Sequence, residues 1–332
     1  MTDGRSAIIG RSIIADIKTA TVPTCAKVAE VTSPLADVPP VIKVNTPLNV
    51  EYLAQCLSGH PDSVFVNTIV NHARHGAPIG YNGPRFYREY KNWPSAYLHR
   101  EAVEASIAKD IARGRKLGPF SHPPFKNFVG SPMGAFERST VGKYRVIYDL
   151  SWPPHYSINE HIDIDCSVQY VTIDSAINLV KKYGKGTLMA KLDLEDAFKF
   201  ILVHKDDWEL LGTTWERQNN DGTHTKEYYV DVVLPFGSKS SPTLFNNFAC
   251  ALEYIMYNHN VSDVIHYMDD YFTVGPVNTA ICENYLENMI KVCQEAGFSI
   301  QPTKLVSPTS TLEFLGIEID SVSMTTRITQ KR

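Results

Sequence analysis

From residue 187 onward the apolar and polar positions alternate between two periods. Residues 187–194 (TLMAKLDL) are a short apolar run of strand length, and residues 198–203 (FKFILV) with 228–234 (YYVDVVL) read as a β-pair. Residues 240–260 switch to a helical period, with Phe245, Phe248, Leu252 and Ile255 on one face and a serine cap before Pro242. Residues 264–268 (VIHYM) and 271–275 (YFTVG) are two short strands joined at a pair of aspartates. Residues 278–297 return to the helical period, with a stripe of Cys282, Tyr285, Met289 and Cys293 and a stop at Gly297. Residues 298–300 (FSI) and 312–320 (LEFLGIEID) supply further strands. Strand, helix, strand, strand, helix, strand is the split βαβ order: an antiparallel sheet with two helices on one face. The fold class is therefore α+β.

Upstream the pattern is more helical. Residues 47–57 and 64–76 read as short helices, the second stopped by Gly76, and a longer helix starts at Ser95 and closes at Gly114 or Gly118. Residues 1–50 hold no Phe, Trp or Tyr; without large anchors they cannot offset their ordering entropy, so a flexible tail is expected there. There is no internal repeat.

Composition changes this picture in two ways. The six cysteines (Cys25, Cys56, Cys166, Cys250, Cys282, Cys293) contain no Cys-x-x-Cys pair, and the N-terminus shows no signal-like run. Reduced thiols, an intracellular location (cytoplasmic or nuclear) and no membrane span are expected. The net charge of −4 argues against a nucleic-acid partner until it is mapped. Residues 71–150 carry 13 Lys/Arg against 6 Asp/Glu, leaving 19 against 30 elsewhere. A basic segment on an acidic body can serve phosphate binding, though on charge alone an unevenly charged solvated surface is the plainer reading.

The aspartates carry the chemistry. Asp269 and Asp270 lie within an apolar run, where charge is costly unless it is paired or holds a cation. Asp206 and Asp207 act as an internal control: Asp206 with Glu209 fits a helix-start box, so that pair reads as a cap. A third acid, Asp193, ends the 187–194 strand and can lie beside the 264–275 hairpin. Three carboxylates around hard cations make a two-metal site of the kind that activates a hydroxyl and stabilises a leaving pyrophosphate. A turn-capping aspartate is the plainer reading of Asp193 taken alone.

KLDLEDAF, LPFGSKSSPTLFN, YMDD, GFSIQPTKL and LEFLGIEID, in this order, resemble the palm motifs of reverse transcriptases, and SPMGAFERSTVGKYRVIYDLS resembles their fingers hairpin. The resemblance covers residues 120–320. IGYNGPRF, WPSAY and ILVHKDDWELLGTTW look closest to the DIRS-type retrotransposons that encode a tyrosine recombinase. It implies a right-hand polymerase with fingers and palm that joins dNTPs to a DNA or RNA primer on an RNA template, with two Mg2+ ions (Mn2+ a substitute) on Asp193, Asp269 and Asp270. It further implies that Asp196 and Ala197 offer backbone N–H groups to the triphosphate, and that Phe198 lies under the sugar. Arg145, with Lys143 and Arg138, would clamp phosphates, and Gly237 and Ser238 would let backbone approach the nucleotide. Lys304 would protonate pyrophosphate, while Tyr267 and Met268 would floor the primer end. Phe236 departs from the polar residue retroviral enzymes often carry there. Core packing is the plainer reading of Phe198, and a solvated loop that of Lys304.

The expected organisation is a tail (1–50), a helical extension of the fingers (51–118), fingers (119–186), palm (187–320) and a C-terminal tail (321–332). After LEFLGIEID too few residues remain for a helical thumb, so none is expected within this chain, which reads as a fragment of a polyprotein or as a weak binder. Two rivals stand beside the polymerase: a polymerase-derived nucleic-acid binder that has lost catalysis, and a two-metal nuclease or phosphatase.

Overall fold

The computed structural model describes residues 44–137, 142–165 and 167–329. The tail expected over residues 1–50 lies almost wholly outside them, as do Arg138, Cys25 and Cys166. The helices are α1 (Val50–Cys56), α2 (Ser63–His75), α3 (Pro94–Leu98), α4 (Arg100–Ala112), α5 (Ile173–Tyr183), α6 (Ser241–Asn258) and α7 (Ile281–Glu295). The strands of the first half are β1 (Arg88–Glu89), β2 (Lys116–Phe120), β3 (Val129–Gly130), β4 (Met133–Glu137) and β5 (Tyr144–Tyr148). Those of the second are β6 (Leu188–Asp193), β7 (Gly212–Gln218), β8 (His224–Asp231), β9 (Val264–Tyr267), β10 (Asp270–Gly275), β11 (Val306–Thr309), β12 (Thr311–Phe314), β13 (Ile317–Asp320) and β14 (Thr325–Ile328).

The split βαβ sheet forms as expected, fully antiparallel in the order β11-β6-β10-β9. Both faces are covered, which is why its central strands are almost continuously apolar. Ala190, Leu192 and Tyr271 face the core built with α6 and α7, while Met189, Phe272 and Val274 face α5 and the β12–β14 sheet. By the same alternation Lys191 and Asp193 share the face of Met189, and Asp270 that of Phe272. Gly297 closes α7 at φ +90, where an added Cβ would lie 2.3 Å from Pro47 O; glycine is needed there for both conformation and space.

Several expected elements fold differently. Residues 197–200 form a 3-10 turn, and the 198–203 pairing shrinks to an isolated Leu202–Val233 bridge. The partners of β8 are β7 and β2 instead. Residues 298–300 contribute one bridge (Leu194–Ile300), and β11 supplies the fourth palm strand. Residues 312–320 form a β12–β13 hairpin in a separate sheet, completed by β14 from the segment read as a C-terminal tail. The long helix from Ser95 breaks at His99 (φ −118, ψ 48), whose ring stacks on Tyr144 at 4.0 Å. Ser240 caps α6 without a side-chain hydrogen bond, its hydroxyl lying instead 3.0 Å from Ser238 Oγ. His204, not Asp206, caps the 3-10 helix Lys205–Leu210. Buried Asp207 accepts from Ile79 N–H at 2.9 Å and pairs with Arg85 at 2.7 Å, a structural anchor rather than a site.

Candidate active site

Strand register brings the three acids together. Asp270 opens β10 directly opposite Asp193, the last residue of β6. Asp269 sits between β9 and β10, its carbonyl accepting from Leu194 N–H at 3.0 Å, which ties the turn to the end of β6. Met268, the other turn residue, is held at φ +57, a strained conformation for a residue with a Cβ. All three acids line a cavity of about 450 Å³ with Lys191, Lys304 and Tyr267, and with Glu313, Leu315 and Gly316 of the β12–β13 hairpin.

The charges here are crowded. Asp193 is buried and pairs with Lys304 Nζ at 2.6 Å. Lys191 Nζ lies 3.4 Å from Asp270 Oδ1, yet that buried oxygen has no hydrogen bond. Burial, opposed by Lys191 and reinforced by Asp193 and Asp269, pushes the Asp270 carboxyl up to about 6. Burial and Asp193 likewise raise Asp269. Burial would lower Lys304, but its hydrogen bond to Asp193 and the neighbouring acids outweigh this and raise it. Among the described residues no three His, Cys, Asp or Glu side chains already converge on one point, since lysines hold two of these three acids. A buried carboxylate oxygen without a hydrogen bond, in a cavity lined by two further carboxylates, is nonetheless a hard-oxygen donor set, and it fits a divalent cation of the magnesium class.

The residues expected to meet the nucleotide converge less uniformly. Asp196, left-handed at φ 48, opens the 3-10 turn that carries Ala197 and Phe198. Its carboxylate is clamped by Arg115 at 2.7 Å, Arg113 at 2.8 Å and Lys109 at 3.3 Å. Burial would raise this carboxyl, but Arg115 and Lys109 outweigh it and hold it below the usual range. Phe198 is half-buried, its ring 5.1 Å from Phe236 and 5.5 Å from Phe245, so the packing reading holds at least in part. The Arg145 guanidinium lies 5.9 Å above the exposed Phe236 ring, joining the β4–β5 hairpin to the palm. Lys143 is exposed on the approach to β5 and touches none of this cluster. Gly237 (φ +111) approaches so closely that a Cβ would lie 2.5 Å from Tyr148 O. Its carbonyl accepts from Asn159 Nδ2 at 2.8 Å, and Ser238 beside it is buried. Tyr267 packs against Tyr170 with ring centroids 5.1 Å apart, and Met268 packs against the main core.

Sequence reading missed Lys191, Asn159 and the Lys109–Arg113–Arg115 clamp. Lys191 was legible: two residues before Asp193 on a strand, it must share that face. The others lie tens of residues from what they bind and carry no local signal. Many of the basic residues in 71–150 are already paired within the fold, as with Arg85–Glu209 at 3.1 Å and the buried Lys116–Asp231 contact at 2.6 Å. No helix among the described residues is long and apolar enough to cross a membrane.

The chain is similar to known proteins. The chain is 22% identical over 178 residues to Polyprotein P3 of Commelina yellow mottle virus, a match covering 54% of this chain and 8% of that one. The foamy viral protease–reverse transcriptase in complex with double-stranded DNA superposes with a TM-score of 0.58 at 17% identity, over 90% of this chain and 50% of that one. The native Prototype Foamy Virus protease–reverse transcriptase gives 0.52 at 19% identity, over 76% and 29%. The chain thus spans half or less of each of these relatives, and the solved structures bear on its fold alone. The profile described as "Reverse transcriptase (RNA-dependent DNA polymerase)" matches residues 141–319, a span that begins beside the Arg145 hairpin, takes in all three cavity aspartates and ends in β13. With more than half of its length matched, the chain belongs to the reverse transcriptase family.

Proposed function

We propose that this chain carries out RNA-directed DNA synthesis, adding dNTPs to the 3′-hydroxyl of a DNA or RNA primer. The observation that carries this reading is the register pairing of Asp193 with Asp270 beside Asp269, which leaves a buried carboxylate oxygen without a hydrogen bond. Asp193, Asp269 and Asp270 would hold two divalent cations, Mg2+ or Mn2+, which when bound supply an activated primer hydroxyl and charge stabilisation for the leaving pyrophosphate. The protein's own groups do the rest. Arg145 binds phosphate from the fingers side, and the Asp196–Ala197 turn presents backbone to the triphosphate. Phe198, its ring against Phe236, lies under the sugar, and Lys304 stands at the edge of the acids to give a proton to pyrophosphate. Tyr267 and Met268 support the primer end.

The DIRS-type assignment belongs to the same proposal. Two of the stretches that suggest it touch each other: Arg85 of IGYNGPRF pairs with Asp207 and Glu209 of ILVHKDDWELLGTTW. The test of the activity is primer extension on an RNA template. Asp193→Asn and Asp269→Asn should each lower turnover by about three orders of magnitude or more while far-ultraviolet circular dichroism stays parental. Near-parental extension by either variant would overturn the cation assignment.

A further inference from the structure

Among the described residues, the polymerase reading leaves an exposed cysteine unused. Among the described cysteines, Cys282 and Cys293 are buried and Cys56 is half-buried, whereas Cys250 is exposed on α6. Burial pushes the Cys282 thiol up to about 11 and raises Cys293 and Cys56 as well, which keeps those sulfurs protonated and inert. Cys250 has different neighbours. Its Sγ lies 4.0 Å from His266 Nε2 and accepts a hydrogen bond from Asn246 Nδ2 at 3.5 Å. His266 is buried at 9% exposure, and its Nδ1 donates to Glu253 Oε2.

The cluster is built by one helix packing on one strand. Cys250 and Glu253 lie three residues apart on α6 and so share a face, and His266 projects from β9 between them. Strand alternation turns His266 away from the cavity that Tyr267 lines. The other titratable group against it is Tyr271, whose ring centroid is 5.5 Å away. Burial would lower the imidazole, but Cys250 and Glu253 outweigh this and raise it to about 9, so it is cationic near neutral pH. A thiol, a buried imidazolium and a carboxylate in series form the arrangement that activates a sulfur nucleophile.

We propose that Cys250 is a modification site for small soluble disulfides, activated by His266 and oriented by Glu253. The Cys250 thiolate, its proton held by the imidazole, attacks one sulfur of a disulfide RS–SR. The new Sγ–S bond forms as the RS–SR bond breaks, and the departing RS⁻ keeps the electron pair and takes the imidazolium proton. Cys250 is oxidised to a mixed disulfide while the reagent is reduced to one thiol, so no further oxidant is required.

The test uses the full chain with glutathione disulfide as probe, with labelling at each cysteine read by peptide mass mapping. Cys250 should label before Cys56, Cys282 and Cys293. His266→Gln should slow labelling at Cys250 about tenfold or more near pH 7, and Glu253→Gln should slow it less, with Glu253→Asp retaining most of the parental rate. Cys250→Ser should lose this label and keep parental primer extension. Should His266→Gln unfold, exposing Cys282 and Cys293 to label, the Glu253 pair of variants decides. Equal Cys250 rates in parent and Glu253→Gln, or labelling of the buried thiols first, would overturn the proposal.

Discussion

Asp270 shows how a single side chain ties stability to chemistry. Its ordinary carboxyl value is raised to about 6, so its charged form is disfavoured in the fold and the ionised group subtracts stability once the pH passes that value. At about 1.4 kcal/mol per unit, and discounting for partial exposure, the cost is on the order of 2 kcal/mol. With a chelator present, Asp270→Asn should melt higher than the parent above about pH 6, and the gap should close as the pH falls towards 4. A thermal scan across that range checks it; a gap that widened towards acid would reverse the sign. Phe198 poses the opposite problem, because packing and sugar contact claim the same ring. Phe198→Ala should admit ribonucleotides with little gain in dNTP use, while Phe198→Tyr should still exclude them. If Phe198 served the core alone, the Ala variant would lose about 3–5 kcal/mol of stability with sugar preference unchanged. The ratio of kcat/KM for dNTP over rNTP, measured beside Tm, separates the two outcomes.

At the scale of elements, buried charge joins what hydrophobic contact alone would leave loose. Lys116 on β2 and Asp231 on β8 are both fully enclosed, and Lys199, directly after Phe198, reaches Asp110 on α4 at 3.2 Å and Asp231 at 3.9 Å. This four-membered cluster holds α4, β2, β8 and the nucleotide-side turn in one arrangement. Asp231→Leu strands the Lys116 ammonium and should cost about 3–5 kcal/mol in urea unfolding. Lys116→Met combined with Asp231→Leu should recover most of that loss, since both charges are then gone. Equal destabilisation of the single and double variants would mean that packing volume, not charge, sets the cost.

For the whole molecule, internal pairing limits how much of the basic segment can meet a nucleic acid. Arg74, Arg85, Arg100, Lys109, Arg113, Arg115 and Lys116 are already bound to acids of the fold, and Arg88 is buried. Primer–template affinity should therefore fall with salt as for roughly five phosphate contacts or fewer, a log–log slope no steeper than about −5. A slope near −10 would show that those pairs open to bind phosphate.

The chain's own pattern determined β6, β9 and β10 of the palm sheet, the two helices and the three acids that the register brings together, but not the fourth strand, β11. Periodicity and a charge set in an apolar run are local properties, readable within a few residues. It also determined Gly297 as the stop of α7. What tertiary structure alone decided was partnership. The 198–203 segment became a turn because β2 and β7 claim β8, and the helix from Ser95 broke where His99 meets Tyr144. Asp196 became an anchor for three fingers-side cations, and Phe198 met Arg145 only through Phe236. Lys304 reached Asp193 across 111 positions, and Cys250 found His266 across 16. Such contacts depend on which faces pack, and the free energy that selects them belongs to the assembled core rather than to any window of the sequence.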